Sequence, residues 1–128
     1  MAWRNYGNSK YHSQKVSIAE EIFQSKKEAR RWLELKNMEA NGLISGLQRQ
    51  KKFVLIPAQY EEGTRGPRGG YKRGKLLERE VAYYADFVYF DEHEKDFVIE
   101  DAKGVRTPEY VIKRKLMLWL NGYQIREV

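Results

Sequence analysis

Asp86 lies late in an apolar segment, Tyr84-Ala85-Asp86-Phe87-Val88, and Asp101 and Lys103 lie in the next such segment. Residues two apart in a strand point to the same face, so Asp101 and Lys103 project together, about 6–7 Å apart. If the two segments pair as a hairpin through 91–96, facing residue numbers sum to about 187. The turn then closes at His93-Glu94, and Asp86 lies beside Asp101. Neighbouring carboxylates repel each other, so a fold keeps them either solvated or around a cation. Mg²⁺ (or Mn²⁺) takes hard oxygen ligands and retains waters, so two carboxylates and a phosphate oxygen suit it. Such a cation polarises the phosphate and acidifies a bound water. A lysine beside it orients or deprotonates that water, or stabilises charge in the transition state. The chemistry that this set suits is hydrolysis at a phosphate.

Other residues compete for roles in the same site. Glu28 follows Ser25 by three positions, the spacing of a capping box, and also stands where a helix start can supply a further carboxylate. Asp86 interrupts an apolar run, and a buried carboxylate without a partner is strongly unfavourable. Glu100 rivals Asp101 as the second acid, although its side chain points to the face opposite Lys103. Gln50 is a candidate to approach from the preceding strand. His12 and His93 lie in polar segments without a partnering Ser or Cys motif and read as solvated.

These residues need elements to hold them. Ile18 to Phe23 reads as a short strand. A helix is expected from about Ser25 to Asn41, with Ala29, Trp32, Leu33, Leu35 and Met38 as its buried stripe and Asn41-Gly42 as its stop. Phe53-Val54-Leu55-Ile56 is the apolar part of a strand within Leu43 to Pro57. Arg79 to Phe90 and Phe97 to Lys103 are two further strands. Thr107-Pro108 opens a second helix, by its cap and its first-turn proline. Ile112, Leu116, Trp119 and Leu120 form the apolar face of that helix, and Trp32 and Trp119 are assigned to the core. Tyr123 to Val128 reads as a last strand. The expected class is α/β or α+β, a mixed sheet flanked by helices.

Composition narrows the function classes. The chain has 128 residues, which suits one domain, here 16–128, preceded by a basic arm at 1–15. With 24 basic and 18 acidic residues the formal charge is +6, which leans toward a polyanionic partner. Cysteine is absent, which excludes disulfides, thiolate-bound metals and thiol nucleophiles and agrees with a cytoplasmic location. No apolar run reaches membrane-spanning length, and Met1 to Lys15 lacks the apolar centre of a secretory signal. The stretch 63–75 holds five glycines and five basic residues, Arg65, Arg68, Lys72, Arg73 and Lys75, with no acid. It reads as a long flexible loop whose cations suit phosphate contacts. Lys113, Arg114 and Lys115 either touch nucleic acid or complement the dipole of the second helix.

Asp86 followed by Asp101-Ala102-Lys103 resembles the D…(D/E)-x-K motif of the PD-(D/E)XK nuclease superfamily. The phrases Phe23–Ala29, Tyr84–Tyr89 and Val98–Gly104 look like small phage and prophage proteins of that superfamily. The layout is also similar to phage endonuclease I, a junction-resolving enzyme. The resemblance covers about residues 15–122, with Ala85 standing where the motif has proline. It implies a restriction-endonuclease-like core and a Mg²⁺- or Mn²⁺-dependent DNA endonuclease. It further implies Glu28, Asp86, Asp101 and Lys103 as catalytic residues, with Glu28, Asp86, Asp101 and the Ala102 carbonyl around the metal. A structure-selective enzyme such as a Holliday-junction resolvase is favoured, acting in the cytoplasm (the host's, for a phage-borne protein). Two cuts at a junction would imply a homodimer. The alternatives are a non-cleaving nucleic-acid-binding accessory protein of the same fold, and a partner-binding protein whose charge serves solubility.

Overall fold

The structure, a computed structural model, describes residues 15–18 and 21–128. The basic arm therefore lies outside the described residues except for Lys15, and so does His12. Val16–Ile18 (β1) pairs antiparallel with Glu21–Phe23 (β2), so the single strand expected at 18–23 is a small two-stranded sheet instead. Helix α1 runs Lys26–Ala40, with the Ser25 hydroxyl accepting from the Glu28 amide at 3.1 Å.

The main sheet has four strands in the order β10-β9-β8-β3: Ile125–Glu127 (β10), Asp96–Asp101 (β9), Val81–Asp91 (β8) and Ile44–Ile56 (β3). β3 and β9 run antiparallel to β8, while β10 is parallel to β9, which makes the sheet mixed and the fold α+β. The hairpin register is the expected one: Phe87 faces Glu100, Val88 faces Ile99 and Asp91 faces Asp96. Helix α2 (Pro108–Asn121) makes the crossover to β10. Thr107 caps it, and Gly122 ends it at φ +70°, a conformation that glycine adopts freely.

Each helix covers one face. Leu35 of α1 packs with Ile44, Phe87, Tyr89 and Val98, and Trp32 lies 6.1 Å from both Phe23 and Phe87. Tyr110 and Met117 of α2 pack with Leu55, Tyr83, Ala85, Ile99 and Ile125. Val98 and Ile99 are sequence neighbours in different clusters, as strand alternation requires of two faces. Along β8 the alternation changes phase. Tyr83 and Ala85 pack on the α2 side, whereas Phe87 and Tyr89, of the same parity, pack on the α1 side. The change falls at Asp86. Opposite it, between the pairs Arg49/Phe87 and Lys51/Ala85, Gln50 has φ +50°.

Two expectations about the helices are corrected. Leu33 is half exposed, and the outer face of α2 carries Ile112, Leu120 and an 83% exposed Trp119. Helix α2 is apolar around most of its circumference, so two stripes satisfy the helical period. The stripe that is buried is the one that lets Tyr110 pack on Tyr83 and donate to Glu127 at 2.8 Å.

The stretch 63–75 is also corrected, from a flexible loop to part of a ribbon joining β3 to β8. Gln59–Tyr60 (β4) pairs with Leu76–Glu78 (β7), and Thr64–Arg65 (β5) pairs with Tyr71–Lys72 (β6). Among the described residues no helix is long and apolar enough to cross a membrane.

Candidate active site

The Asp86 phase change, the end of β9 and the start of α1 meet at one cavity of about 550 Å³. Its walls include Lys26, Lys27, Glu28, Gln50, Asp86 and the run 101–105. Local sequence accounts for each arrival. The Ser25 cap sets the first turn of α1 and so places Glu28 at the rim of the sheet. The register of β8 against β9 brings Asp86 to the Asp101-Ala102 step, where the Ala102 amide donates to Asp86 Oδ2 at 2.8 Å. The Gln50 side chain donates to Asp86 Oδ1 at 3.0 Å from the opposite strand.

Asp101 is 3% exposed and accepts from the Tyr83 hydroxyl at 2.6 Å on Oδ2. On Oδ1 it meets Lys103 Nζ at 3.4 Å, so acid and lysine do share one face. Lys103 Nζ also lies 4.2 Å from the Tyr110 ring centroid, and the Lys103 carbonyl accepts from Lys27 Nζ at 2.9 Å. Glu28 is 4% exposed. Its carboxylate pairs with Arg49 at 3.2 Å, and Arg49 stacks on Phe23 with the guanidinium 3.9 Å from the ring centroid. Glu28 thus shows half of the expected capping box and also lines the cavity. Its amide is capped by Ser25, and its side chain enters the site.

The electrostatics are those of crowded acids. Burial, followed by the neighbouring carboxylates of Asp101 and Glu28, pushes the Asp86 carboxyl up to about 7. The hydrogen bonds from Ala102 and Gln50 act in the opposite sense. Burial raises the Glu28 carboxyl as well, with Arg49 opposing and Asp101 adding to the rise. Burial and the adjacent Asp101 carboxylate raise the Tyr83 hydroxyl, which therefore stays a donor. Among the described residues no cation pairs directly with Asp86, and the acids retain mutual repulsion that a divalent cation would relieve.

The donors at the site are hard oxygens, the kind that Mg²⁺ or Mn²⁺ takes. Among the described residues no three acidic or histidine side chains converge as a ready ligand group. A cation held by Asp86, Asp101 and a backbone oxygen such as that of Ala102 would keep several waters, which is the habit of Mg²⁺. Glu28, held by Arg49, would act from the periphery.

Glu100, the rival acid, is fully buried on the other face and belongs to a separate network with Arg31 and Tyr89. His93 sits in the β8–β9 turn, its amide donating to Asp91. The five ribbon cations lie apart from the cavity walls, as do Lys113, Arg114 and Lys115. Sequence reasoning did not single out Arg49, Tyr83, Lys26 or Lys27. Tyr83 could have been found from the register, since it and Asp101 lie toward the same end of the β8–β9 pair. Arg49 had no local signal.

A family model described as a protein of unknown function (DUF1064) matches residues 8–126, and the chain belongs to that family. No curated protein and no solved structure matches it.

Proposed function

We propose that this protein is a metal-dependent endonuclease that hydrolyses phosphodiester bonds in DNA, with a site of the PD-(D/E)XK kind. The observation that carries the reading is the meeting of Asp86 and Asp101 beside Lys103 at one open cavity, reached from two adjacent strands. Asp86, Asp101 and Ala102 would hold Mg²⁺ or Mn²⁺, which supplies a polarised phosphate and an acidified water. The chain's own residues do the rest. Tyr83 fixes the Asp101 rotamer, and Gln50 with the Ala102 amide fixes that of Asp86. Lys103 orients the attacking water and stabilises the charge that develops on the phosphate. Lys26 and Lys27, on the cavity wall, attract the phosphate and orient it. The resemblance to small phage endonucleases favours branched DNA, such as a four-way junction, and a homodimer as the cutting form. A cytoplasmic location belongs to the same reading.

The pairing of Glu28 with Arg49 favours a second reading, a nucleic-acid-binding accessory protein that does not cut, because it offsets the charge of one carboxylate at the site. One assay separates the two. Wild type and Asp86→Ala are compared on a four-way junction, a flap, linear duplex and single strand with Mg²⁺ or Mn²⁺. Junction cutting that falls at least 10³-fold in the variant, with binding retained, is the expected result. Equal cutting of linear duplex would remove the junction preference. Binding without cutting of any substrate would establish the accessory reading, and cutting that survives Asp86→Ala would overturn the site.

A further inference from the structure

We infer that the ribbon between β3 and β8 is a DNA-holding arm that enters the major groove of B-form duplex; this rests on the DNA partner proposed above but not on cleavage. Four observations carry it: charge, form, close strand packing and position. None of Arg65, Arg68, Lys72, Arg73 and Lys75 pairs with a carboxylate among the described residues, whereas most of the cations around the two cores do. Two of them, Arg65 and Arg73, are held by neutral oxygens of the ribbon itself. Arg65 donates to the Gly69 carbonyl at 3.2 Å, and Arg73 donates to the Tyr60 hydroxyl at 3.2 Å while stacking on that ring at 4.4 Å. Contacts of this kind aim a guanidinium without neutralising it.

The form is a paired two-stranded ribbon, not a loop. Two strands about 4.8 Å apart, with side chains, fill a B-DNA major groove about 12 Å wide. The minor groove, about 6 Å wide, is too narrow for them. The deep, narrow major groove of A-form RNA excludes them as well. The turn Gly66-Pro67-Arg68-Gly69-Gly70 is almost bare of side chains except Arg68, so the tip is slim.

The ribbon's strands approach closely at two glycines. A Cβ on Gly63 would lie 2.2 Å from the Tyr71 hydroxyl oxygen, so the Tyr71 ring covers that glycine. A Cβ on Gly74 would lie 2.1 Å from the Glu61 carbonyl oxygen, so the strands pinch together between the two tiers. The Glu61 amide bonds the Lys75 carbonyl at 2.8 Å at the same point.

Position supplies a scale. The ribbon grows from the β3–β8 ladder that carries Asp86. Its base at Val81 is five residues along β8, roughly 17 Å from Asp86. At about 3.4 Å per base pair that is about five steps, so a duplex cut at Asp86 meets the ribbon about half a turn away or further.

The test measures binding without cutting. Full-length protein in EDTA is titrated against a labelled 30-base-pair DNA duplex, the matching RNA duplex and a single strand, across a salt series. DNA duplex binding at least tenfold tighter than RNA duplex is expected. Arg68→Ser/Lys72→Ser/Lys75→Ser should weaken it at least tenfold and lower the salt slope by about 2 to 3, since each phosphate contact contributes about 0.9. The charge-preserving Arg68→Lys/Lys72→Arg protein should retain the slope. Methylation of guanine N7 should interfere within one major groove. Unchanged affinity and slope in the triple variant would overturn the arm, as would equal binding to RNA duplex or single strand, or interference confined to the minor groove. Ribbon-dependent binding by a protein that cuts nothing would overturn only the nuclease reading. Cutting with ribbon-independent binding would overturn only the arm.

Discussion

Glu100 and Asp101 are consecutive in β9 and both are buried, yet their surroundings are opposite in kind. Glu100 accepts two bonds from the Arg31 guanidinium, at 2.8 and 2.7 Å, and another from the Tyr89 hydroxyl. Its charge is matched where it sits, and its side chain is fully buried. Asp101 has Tyr83 and Lys103 on its own side and the Asp86 carboxylate beside it, at the wall of a cavity. Its neighbourhood leaves like charges facing one another. One residue of strand alternation separates an acid matched by its cation from an acid that faces another carboxylate at a cavity wall. Burial alone therefore does not distinguish the two carboxylates; the balance of their partners does.

The comparison breaks most sharply on the scaffold side. Arg31→Met would leave Glu100 buried without its cation. Removing one partner of a buried ion pair typically destabilises by about 3–5 kcal/mol, and a urea or thermal melt should show a loss of that size. Adding Glu100→Gln should recover a substantial part, because Tyr89 still has an oxygen to donate to and no charge remains. A loss below about 1 kcal/mol in Arg31→Met would mean that water reaches Glu100 and that the two faces do not differ as described.

On the other face the same operation should have the opposite sign. The Asp86 carboxyl is pushed up to about 7 by burial and by Asp101 and Glu28. A group whose proton is held more tightly when folded stabilises the fold fully below its unfolded pKa, near 4, and that contribution is lost as pH rises through 7. Without metal, Asp86→Asn should therefore be more stable than wild type at pH 8 by about 1–2 kcal/mol, given that the full shift is discounted for a hydrated cavity. The advantage should shrink as pH falls toward 4. Mn²⁺ should stabilise wild type at pH 8, by about 2.7 kcal/mol at a hundredfold excess over its Kd, and leave Asp86→Asn unmoved. A variant less stable than wild type at pH 8 would show that the acids are not in conflict.

This difference between faces was partly legible in the residues. The Asp101-x-Lys103 spacing and the hairpin register set the two acids side by side, because strand alternation is a rigid rule and the turn at 91–96 leaves little slack. Glu100 was placed on the opposite face for the same reason. The partners of Glu100 were not legible, since Arg31 comes from a helix about seventy residues away and nothing local joins the two. The outward turn of Trp119 was hidden because α2 satisfies two apolar stripes, and only tertiary contact chooses between them. The pairing of the ribbon is not legible because its glycines suggest flexibility when taken singly. Opposite Tyr71 and Glu61, Gly63 and Gly74 instead permit close approach of the paired strands.

The smallest expected effect concerns the point where β8 changes face. Gln50 holds φ +50°, a conformation that a residue with a Cβ adopts at a cost of about 1 kcal/mol or more. Its amide donates to Asp86. Gln50→Gly would relieve the backbone and remove the hydrogen bond, two terms of similar size and opposite sign. Net stability should change by no more than about 0.5 kcal/mol in a urea melt. Cutting should nevertheless fall about tenfold, because Asp86 loses one of the two donors that fix its carboxylate. Gln50→Ala would lose the hydrogen bond and keep the strain, and should be the less stable of the pair. If Gln50→Gly cuts as fast as wild type, the positive φ is a feature of the strand's change of face alone, and Asp86 is held by the Ala102 amide without help from β3.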